Sequence, residues 1–470
     1  MFKERNLLTL AMNVLGLVMA VTIAPVRAES KPNIIVIMSD DAGYADIGFS
    51  GNIFGKANFA TPNIDKLADS GVKFTQAYVT ASVCSPSRAG MLTGRYQQRF
   101  GHEYNLPVTP EPGDTAEYSG MLVGEKTIAD HLKASGYRTG LIGKWHLGLE
   151  PQFHPNKRGF DEFYGLLGGG RSYWENDKQN TDYRRIYRNQ NAENYQGYLT
   201  DKLGDEAIDF IRRNQEQPFF LYLSYTAVHA PMEAKPEHEE LLSHIKDKNR
   251  RTLAGMTLAL DESVGEVMNA LDEFALTENT LVVFLNDNGG PSDYNFSINK
   301  PFSGVKGTLY EGGVRVPFAM SWPGKIKANS EYKKMISSLD ILPTALAAAG
   351  ADLVGKNPID GVDLLPFLSE KNSEQPHQTL FWRRSAFAAV RDNDYKLVRY
   401  PDRPAVLYDL SNDLAEEHNL AGSKPELVRS LMKKLFAWEN ELKAPVFLTH
   451  SKWIKQNRER YSIFTSVDKQ

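Results

Sequence analysis

The chain has 470 residues, 41% hydrophobic and 24% charged, enough for one large buried core with a smaller one beside it, or for two to three average domains. Its 54 Lys and Arg against 58 Asp and Glu give a formal net charge of −4, which offers no reason to expect a nucleic-acid partner. One cysteine, Cys84, excludes any internal disulfide, so the core must hold the fold unaided.

Along the chain, Lys3 and Arg5 precede an apolar run from Leu7 to about Ala24, and Val26-Arg27-Ala28 offers small residues suited to cleavage after Ala28. Residues 1–28 are therefore expected to be a secretory signal peptide, outside the fold. An uncleaved anchor is the alternative, but Asn13 interrupts the run and it is short for a bilayer span. No cysteine follows it to carry a lipid, and no later segment is long and apolar enough to cross a membrane. The chain is thus expected to be exported, periplasmic or secreted, with no stable membrane anchor. Loss of Lys3, Glu4, Arg5 and Arg27 leaves the mature chain two charges more acidic, so an anionic ligand must be drawn by a local cluster of Arg and Lys. A single thiol kept outside the cytoplasm is a liability, which fits a cysteine consumed by modification.

Four apolar runs read as buried strands, each ending in polar residues. Asn33–Met38 leads into Ser39-Asp40-Asp41, and Thr139–Ile142 into Gly143-Lys144-Trp145-His146. Pro218–Tyr225 leads into the turn carrying His229, and Leu281–Leu285 into Asn286-Asp287-Asn288. Helical patterns lie between them at Ile64–Ser70, Thr127–Ser135, Leu203–Arg213 and about Leu253–Phe274. The alternation predicts an α/β fold with a large, mostly parallel sheet flanked by helices. Ligands of such sheets bind beyond the carboxyl ends of the strands, so the four polar clusters should converge. From about Gly168 to Tyr198 the chain is rich in Gly, Arg, Tyr and Asn and weakly periodic; it reads as a surface insertion lining a cleft or as a loop without a role. From residue 375 the texture changes to short runs, Thr379–Trp382, Ala386–Val390, Tyr395–Tyr400 and Ala405–Tyr408, and then a helix from about Pro425 to Leu442. A smaller C-terminal α+β subdomain, 375–470, is expected after a main domain at 29–374.

Cys84 opens the string Cys84-Ser85-Pro86-Ser87-Arg88-Ala89-Gly90-Met91-Leu92-Thr93-Gly94. A lone cysteine is ordinarily a small buried hydrophobe. Here Pro86 suits the first turn of a helix, and Ser85 and Ser87 suit its free amides. Cys84 would then sit just before a helix N-terminus, which favours an anion. A thiolate could be activated there directly, so position alone leaves a thiolate enzyme and a modified-cysteine enzyme both open. The whole string, however, matches the motif by which type I sulfatases, of the alkaline phosphatase superfamily, have one cysteine oxidised to formylglycine. The chain resembles that family from Pro32 to roughly its end, including Leu407-Tyr408-Asp409-Leu410. The resemblance implies an alkaline-phosphatase-like fold, a hydrated aldehyde acting on sulfate esters, and a formylglycine-generating maturation enzyme as partner.

Asp40-Asp41 and Asp287-Asn288 offer hard oxygen donors on two strand ends, suited to Ca²⁺ or Mg²⁺, and no Cys/His cluster offers a zinc site. An Asp pair after a strand is by itself commonly a cap or turn. The resemblance makes Asp40, Asp41, Asp287 and Asn288 metal ligands, with the side chain formed from Cys84 held at the same ion. The family favours calcium, and magnesium stays open. Arg88 lies four residues after Cys84 on one helical face and can hydrogen-bond the hydrated aldehyde. Lys144 and His146 alternate on an extended segment, so both can face one side. Taken singly, any of these reads as a solvated charge or a core histidine. The resemblance implies that Lys144 steadies nucleophile and sulfate, and that His146 later takes a proton from the formylglycine. It also implies that His229 contacts the ester oxygen and that Lys306, in Gly304-Val305-Lys306-Gly307, is a second sulfate-binding lysine.

Family members act on aryl sulfates, sulfated sugars, steroids or choline sulfate. An exported chain with many Tyr, Trp and Arg residues in its loops suits a sulfated glycan, since aromatic faces stack on sugars and arginines pair with further sulfates. The candidate contacts are His102, Glu103, Arg171, Tyr173, Trp174 and Arg383. Gly101-His102-Glu103-Tyr104-Asn105 is most similar to sulfatases acting on galactose-type sugars, which makes a sulfated galactan such as carrageenan the leading expectation. The rivals are a phosphonate or phosphodiester hydrolase of the same superfamily, a general arylsulfatase, and a silent glycan-binding protein whose cysteine is never matured.

Overall fold

The structure is a computed structural model that describes residues 31–463 except 57, 107–118, 176–180, 370–371 and 449–450. The expected signal peptide, 1–28, lies outside the described residues. The strands in chain order are β1 (Asn33–Ser39), β2 (Val72–Phe74), β3 (Ala77–Tyr78), β4 (Arg138–Lys144), β5 (Glu162–Leu166), β6 (Ile186–Arg188), β7 (Asn191–Glu193) and β8 (Phe219–Ser224). They continue as β9 (Thr280–Asn286), β10 (Phe318–Ser321), β11 (Ser330–Tyr332), β12 (Ile336–Ser337), β13 (Thr379–Arg384), β14 (Phe387–Asp392), β15 (Tyr395–Arg399) and β16 (Val406–Asp409). Ten form one mixed sheet in the order β11-β2-β10-β9-β1-β8-β4-β5-β6-β7.

The four apolar runs are the adjacent strands β9, β1, β8 and β4, all parallel, with β5 continuing the parallel set. Their side chains alternate between two cores, as period-2 strands covered on both faces must. Ile34, Val36 and Met38 join one core with Phe220, Tyr222 and Leu285, under the helices Cys84–Thr93, Ile128–Ala134 and Ile341–Ala349. Ile35 and Ile37 join the other with Leu221, Leu223 and Phe284, under Pro62–Asp69, Leu199–Asn214 and Lys248–Glu273. Each such side chain contributes roughly 1.5–3 kcal/mol of transfer free energy, so both layers are anchored. Register then sets the site: Met38 faces Ser224 and Leu285, Ser39 faces Asn286, and Gly143 faces Ser224, so the carboxyl ends finish together.

Strands β13–β16 form a separate antiparallel sheet in sequential order. One face packs Ala388, Val390, Leu397 and Leu407 against Leu431, Leu435 and Trp438 of the helix Pro425–Glu439. The other packs Trp382 and Tyr408 against Leu309 and Tyr310, and the Trp382 indole donates to the Val79 carbonyl at 2.7 Å. A buried ion cluster ties this sheet to the helix Glu311–Val314 and to β3, which pairs with β12 in a separate two-stranded sheet. Lys396 on β15 lies 2.8 Å from Glu311 and 3.1 Å from Glu416, and Glu416 accepts from the Glu311 amide at 2.7 Å. Glu311 also meets Arg315 at 3.2 Å and the Tyr78 hydroxyl at 2.6 Å.

Sequence periodicity did not anticipate the short strands at the sheet margins or the helix Ser451–Ile463. Strands of two to five residues carry too few alternations to stand out. The Gly168–Tyr198 stretch is in part structured, supplying the edge pair β6–β7 and a wall of the site described next.

Candidate active site

The turns beyond β1, β8 and β9 are stitched into one floor. The Asp40 amide donates to Ala227 O at 2.8 Å, the Val228 amide to Asp40 O at 2.7 Å, and the Asp287 amide to Ser39 O at 3.2 Å. Asn286 clamps the first turn, its Oδ1 accepting from Ser39 Oγ (2.9 Å) and the Ala42 amide (3.2 Å) while its Nδ2 donates to Ala42 O (2.9 Å). At the end of β4, Gly143 has φ +112°, and a Cβ there would lie 1.8 Å from Ser224 O, so only glycine lets β4 close on β8. His146 adopts φ +57°, which corrects the expected alternation: the chain leaves the extended conformation after Lys144. Lys144 and His146 still enter the same buried site, His146 beside Gly169.

On this floor three buried carboxylates meet three buried cations. Lys144 Nζ is 2.5 Å from Asp40 and Lys306 Nζ is 2.7 Å from Asp41. Arg88 donates through Nε and Nη2 to Asp287 Oδ2 at 3.0 and 2.8 Å, and through Nη1 to Ser224 Oγ at 2.5 Å. Its fork holds Asp287, with Asp40 at 3.4 Å, and it stays close enough to feel the Cys84 side chain. Cys84 Sγ donates to Asp40 Oδ1 at 3.7 Å and accepts from Lys306 Nζ at 3.1 Å. Asp41 also accepts from Asn288 Nδ2 (2.7 Å) and the Tyr294 hydroxyl (3.0 Å), and His229 Nε2 stands 3.6 Å away.

These contacts set the charge states. Burial pushes the Cys84 thiol up to about 12 against the pull of Lys144 and Lys306, which disfavours a thiolate there. Burial would raise Asp41, but Lys306, then His229 and Lys144, hold it well below the usual carboxylate range. Asp287 is raised, first by burial and then by Asp40. Burial lowers both histidines, with Lys144 and Arg88 adding to this at His146, while at His229 Asp41 opposes a fall to about 3. His229 Nδ1 lies 2.6 Å from Ala230 O, which assigns the proton of the neutral ring to Nδ1 and leaves Nε2 bare.

The donor set fits a hard divalent cation. One ligand atom each from Asp40, Asp41, Cys84 and Asp287 lie within 4.8 Å of one another, and the buried Asn288 Oδ1 has no hydrogen-bond partner among the described residues. Asp40, Cys84 and His229 form a second, overlapping group of this kind.

The helix that presents Cys84 spans Cys84–Thr93, with Cys84 its first residue and Val83 at the cap position without a side-chain bond. Its serines do not cap it, contrary to expectation. The Ser85 amide donates instead to Asn105 Oδ1 at 3.0 Å, and Ser85 Oγ lies 2.7 Å from both His146 O and His102 Nε2. His102 thus backs the helix start, fully buried. Glu103 pairs with Arg383, Nε to Oε2 at 3.2 Å. Arg171 is buried and bonded to Ser172 O, Arg184 O and Glu175. Tyr173 is buried, its hydroxyl 2.8 Å from Thr226 O and His229 O, so it steadies the His229 turn instead of offering a stacking face. Trp174, 37% exposed, is the one aromatic of this group with an open surface. Asn105 and Asn286 enter the sequence reading only as members of longer strings, and Ser224 and Tyr294 not at all: a single Asn, Ser or Tyr at a strand end or in a turn carries no pattern.

The family model described as Sulfatase matches residues 32–351, and that described as N-sulphoglucosamine sulphohydrolase, C-terminal, matches 305–444. Arylsulfatase A of Homo sapiens is 33% identical over 489 residues, covering 90% of each chain. N-acetylgalactosamine-6-sulfatase of Canis lupus familiaris is 33% identical over 391 residues, covering 78% of this chain and 72% of that one. Among solved structures, Ps i-CgsB superposes with a TM-score of 0.84 at 36% identity, covering 92% of this chain and 98% of that one. It has also been crystallised in complex with k-i-k-neocarrahexaose.

Proposed function

We propose, since this chain belongs to the sulfatase family of the alkaline-phosphatase-like superfamily and is a sulfuric ester hydrolase, that it removes sulfate from a sulfated galactan through a formylglycine made from Cys84. The observation that carries the reading is the buried cluster of Asp40, Asp41, Cys84, Arg88, Lys144, Asp287 and Lys306 at the carboxyl ends of the central strands. A protonated, buried thiol is a poor nucleophile, whereas the hydrated aldehyde supplies a hydroxyl for attack at sulfur. Asp40, Asp41, Asp287 and Asn288 would hold Ca²⁺, with Mg²⁺ as the alternative; when bound, the ion would supply Lewis-acid polarisation and charge neutralisation.

The remaining roles fall to the chain's own groups. Lys144 and Lys306 face the Cys84 side chain and stabilise charge on the sulfuryl oxygens. Arg88 keeps Asp287 and Asp40 in place. Asp287, its carboxyl raised by burial, takes the proton of the attacking hydroxyl, while His229, neutral with a bare Nε2, takes a proton from solvent once an anionic ester sits beside it and gives it to the leaving oxygen. His146, held neutral by burial and by Lys144, is suited to accept the proton that lets sulfate depart and the aldehyde re-form.

The glycan is proposed from likeness to a protein crystallised with k-i-k-neocarrahexaose, and from Trp174 at the rim. Export through residues 1–28 and a maturation enzyme as partner belong to the same reading. No helix among the described residues is long and apolar enough to cross a membrane. The test is sulfate release from a panel of sulfated oligosaccharides, with Cys84→Ala as control and an aryl sulfate, phosphate and phosphonate alongside. Release from galactans that vanishes in Cys84→Ala is the expected outcome. Turnover confined to the phosphorus esters would overturn the reading.

A further inference from the structure

Two neighbouring arginines end β13, and their surroundings differ. Arg383 is neutralised by Glu103. Arg384, at the tip of the β13–β14 hairpin where Ser385 and Ala386 are exposed, forms no ion pair among the described residues. Its Nη1 donates to two neutral acceptors, Gly307 O at 3.0 Å and Asn457 Oδ1 at 2.5 Å. The charge that acts on it most strongly is another cation, Arg460, itself matched by Asp293 through two bonds of 3.0 Å. Burial and Arg460 together lower Arg384 to about 10, the mark of a guanidinium without a counter-ion. Nε and Nη2 have no partner among the described residues and are not sealed from solvent, so one edge of the planar fork is open.

This cation is tied to the catalytic cluster. Gly307 follows Lys306, whose amine is 3.1 Å from Cys84 Sγ, and the Gly307 amide is pinned to Ser82 O at 2.7 Å. Asn457 belongs to the helix Ser451–Ile463, and Trp453, one turn earlier on that helix, is 48% exposed. Arg384, bonded to the residue after Lys306, and an exposed aromatic one helical turn from its partner Asn457 thus belong to the part of the molecule that carries Lys306. That pairing matches a sugar ring carrying an oxyanion, since arginine binds sulfate or carboxylate bidentately and aromatic faces stack on pyranoses.

We propose that Arg384 is a specificity residue that binds a second oxyanion, on the sugar adjacent to the one desulfated, with Trp453 beneath that neighbouring ring. This rests on the glycan reading above and narrows it: the preferred substrate is at least doubly anionic. The test compares wild type, Arg384→Gln and Arg384→Lys on carrageenan-type tetrasaccharides with one sulfate, with a second sulfate on the adjacent ring, or with a carboxylate there, and on an aryl sulfate. The expected result is that Arg384→Gln loses about 10–100-fold more kcat/KM on a doubly anionic substrate than on the singly sulfated one, chiefly through KM. Arg384→Lys should recover part of it, and raised salt should shrink the wild-type preference. Whether the sulfate or the carboxylate substrate shows the larger loss identifies the anion. Equal losses on singly and doubly anionic substrates would overturn the proposal and leave Arg384 as a prop for Gly307. Wild-type turnover of the aryl sulfate with none of any glycan would instead sink the glycan reading itself.

Discussion

Glu416 makes a quantitative test of the buried joint between the C-terminal sheet and the helix Glu311–Val314. It is fully buried and shares Lys396 with Glu311, which has Arg315 and the Tyr78 hydroxyl as well. Two carboxylates compete for one lysine, so the poorer-served one keeps its proton. Burial, then Glu311, against Lys396, raises Glu416 from 4.5 to about 8, while Lys396 and Arg315 overcome burial to lower Glu311 to about 2. Between pH 4.5 and 8 the unfolded chain's Glu416 is ionised and the folded chain's is protonated. The folded state then binds more protons, so stability is full below the lower value and falls as pH rises toward the upper one. At about 1.4 kcal/mol per unit the window is worth on the order of 3–5 kcal/mol. With roughly 2.1 cal/mol/K of unfolding entropy per residue over 470 residues, Tm should fall about 3–5 °C from pH 5 to pH 8 on this account. Glu416→Gln mimics the protonated form and should remove that slope while matching wild type at pH 5, read by thermal melting at half-unit steps. Parallel melting-temperature profiles for the two proteins would refute the reasoning.

Three further outcomes follow from the site. Cys84→Ser should release at most one equivalent of leaving alcohol and then stall, because a serine sulfate ester has no aldehyde to re-form; repeated turnover by the purified variant would refute the formylglycine route. Arg88→Met leaves Asp287 and Asp40 buried without their fork, which should cost about 3–5 kcal/mol and nearly all activity, measured by urea unfolding and sulfate release. Chelation should abolish turnover, with Ca²⁺ restoring it more fully than Mg²⁺; full activity after exhaustive chelation would remove the metal from the scheme.

The parts of this structure legible in its sequence are those with long periods or whole strings behind them. Ile34–Met38 and Leu281–Leu285 are unbroken apolar runs, and their register delivers Asp40 and Asp287 to one point. What stayed hidden depends on pairings between distant residues. Ser85 reads as a cap until Asn105 takes its amide. Arg383 and Arg384 are indistinguishable as letters, and only Glu103 separates them. Arg171 and Tyr173 looked like open contacts because a Gly- and Tyr-rich stretch reads as surface, whereas both are buried against the His229 turn or their own loop.

The burial of the Cys84 string also bears on timing. Cys84, Ser85, Pro86, Ser87 and Arg88 are all shut inside the finished protein. Lys306, whose amine abuts the thiol, stands 222 residues further along the chain. Any enzyme that rewrites Cys84 therefore works to a deadline. If Cys84 is rewritten as proposed, the string is most accessible before β8, β9 and the Lys306 loop close over it. A slow folder has longer for this than a fast one, so variants that hasten collapse of the central sheet should leave a larger share of molecules with an unaltered thiol.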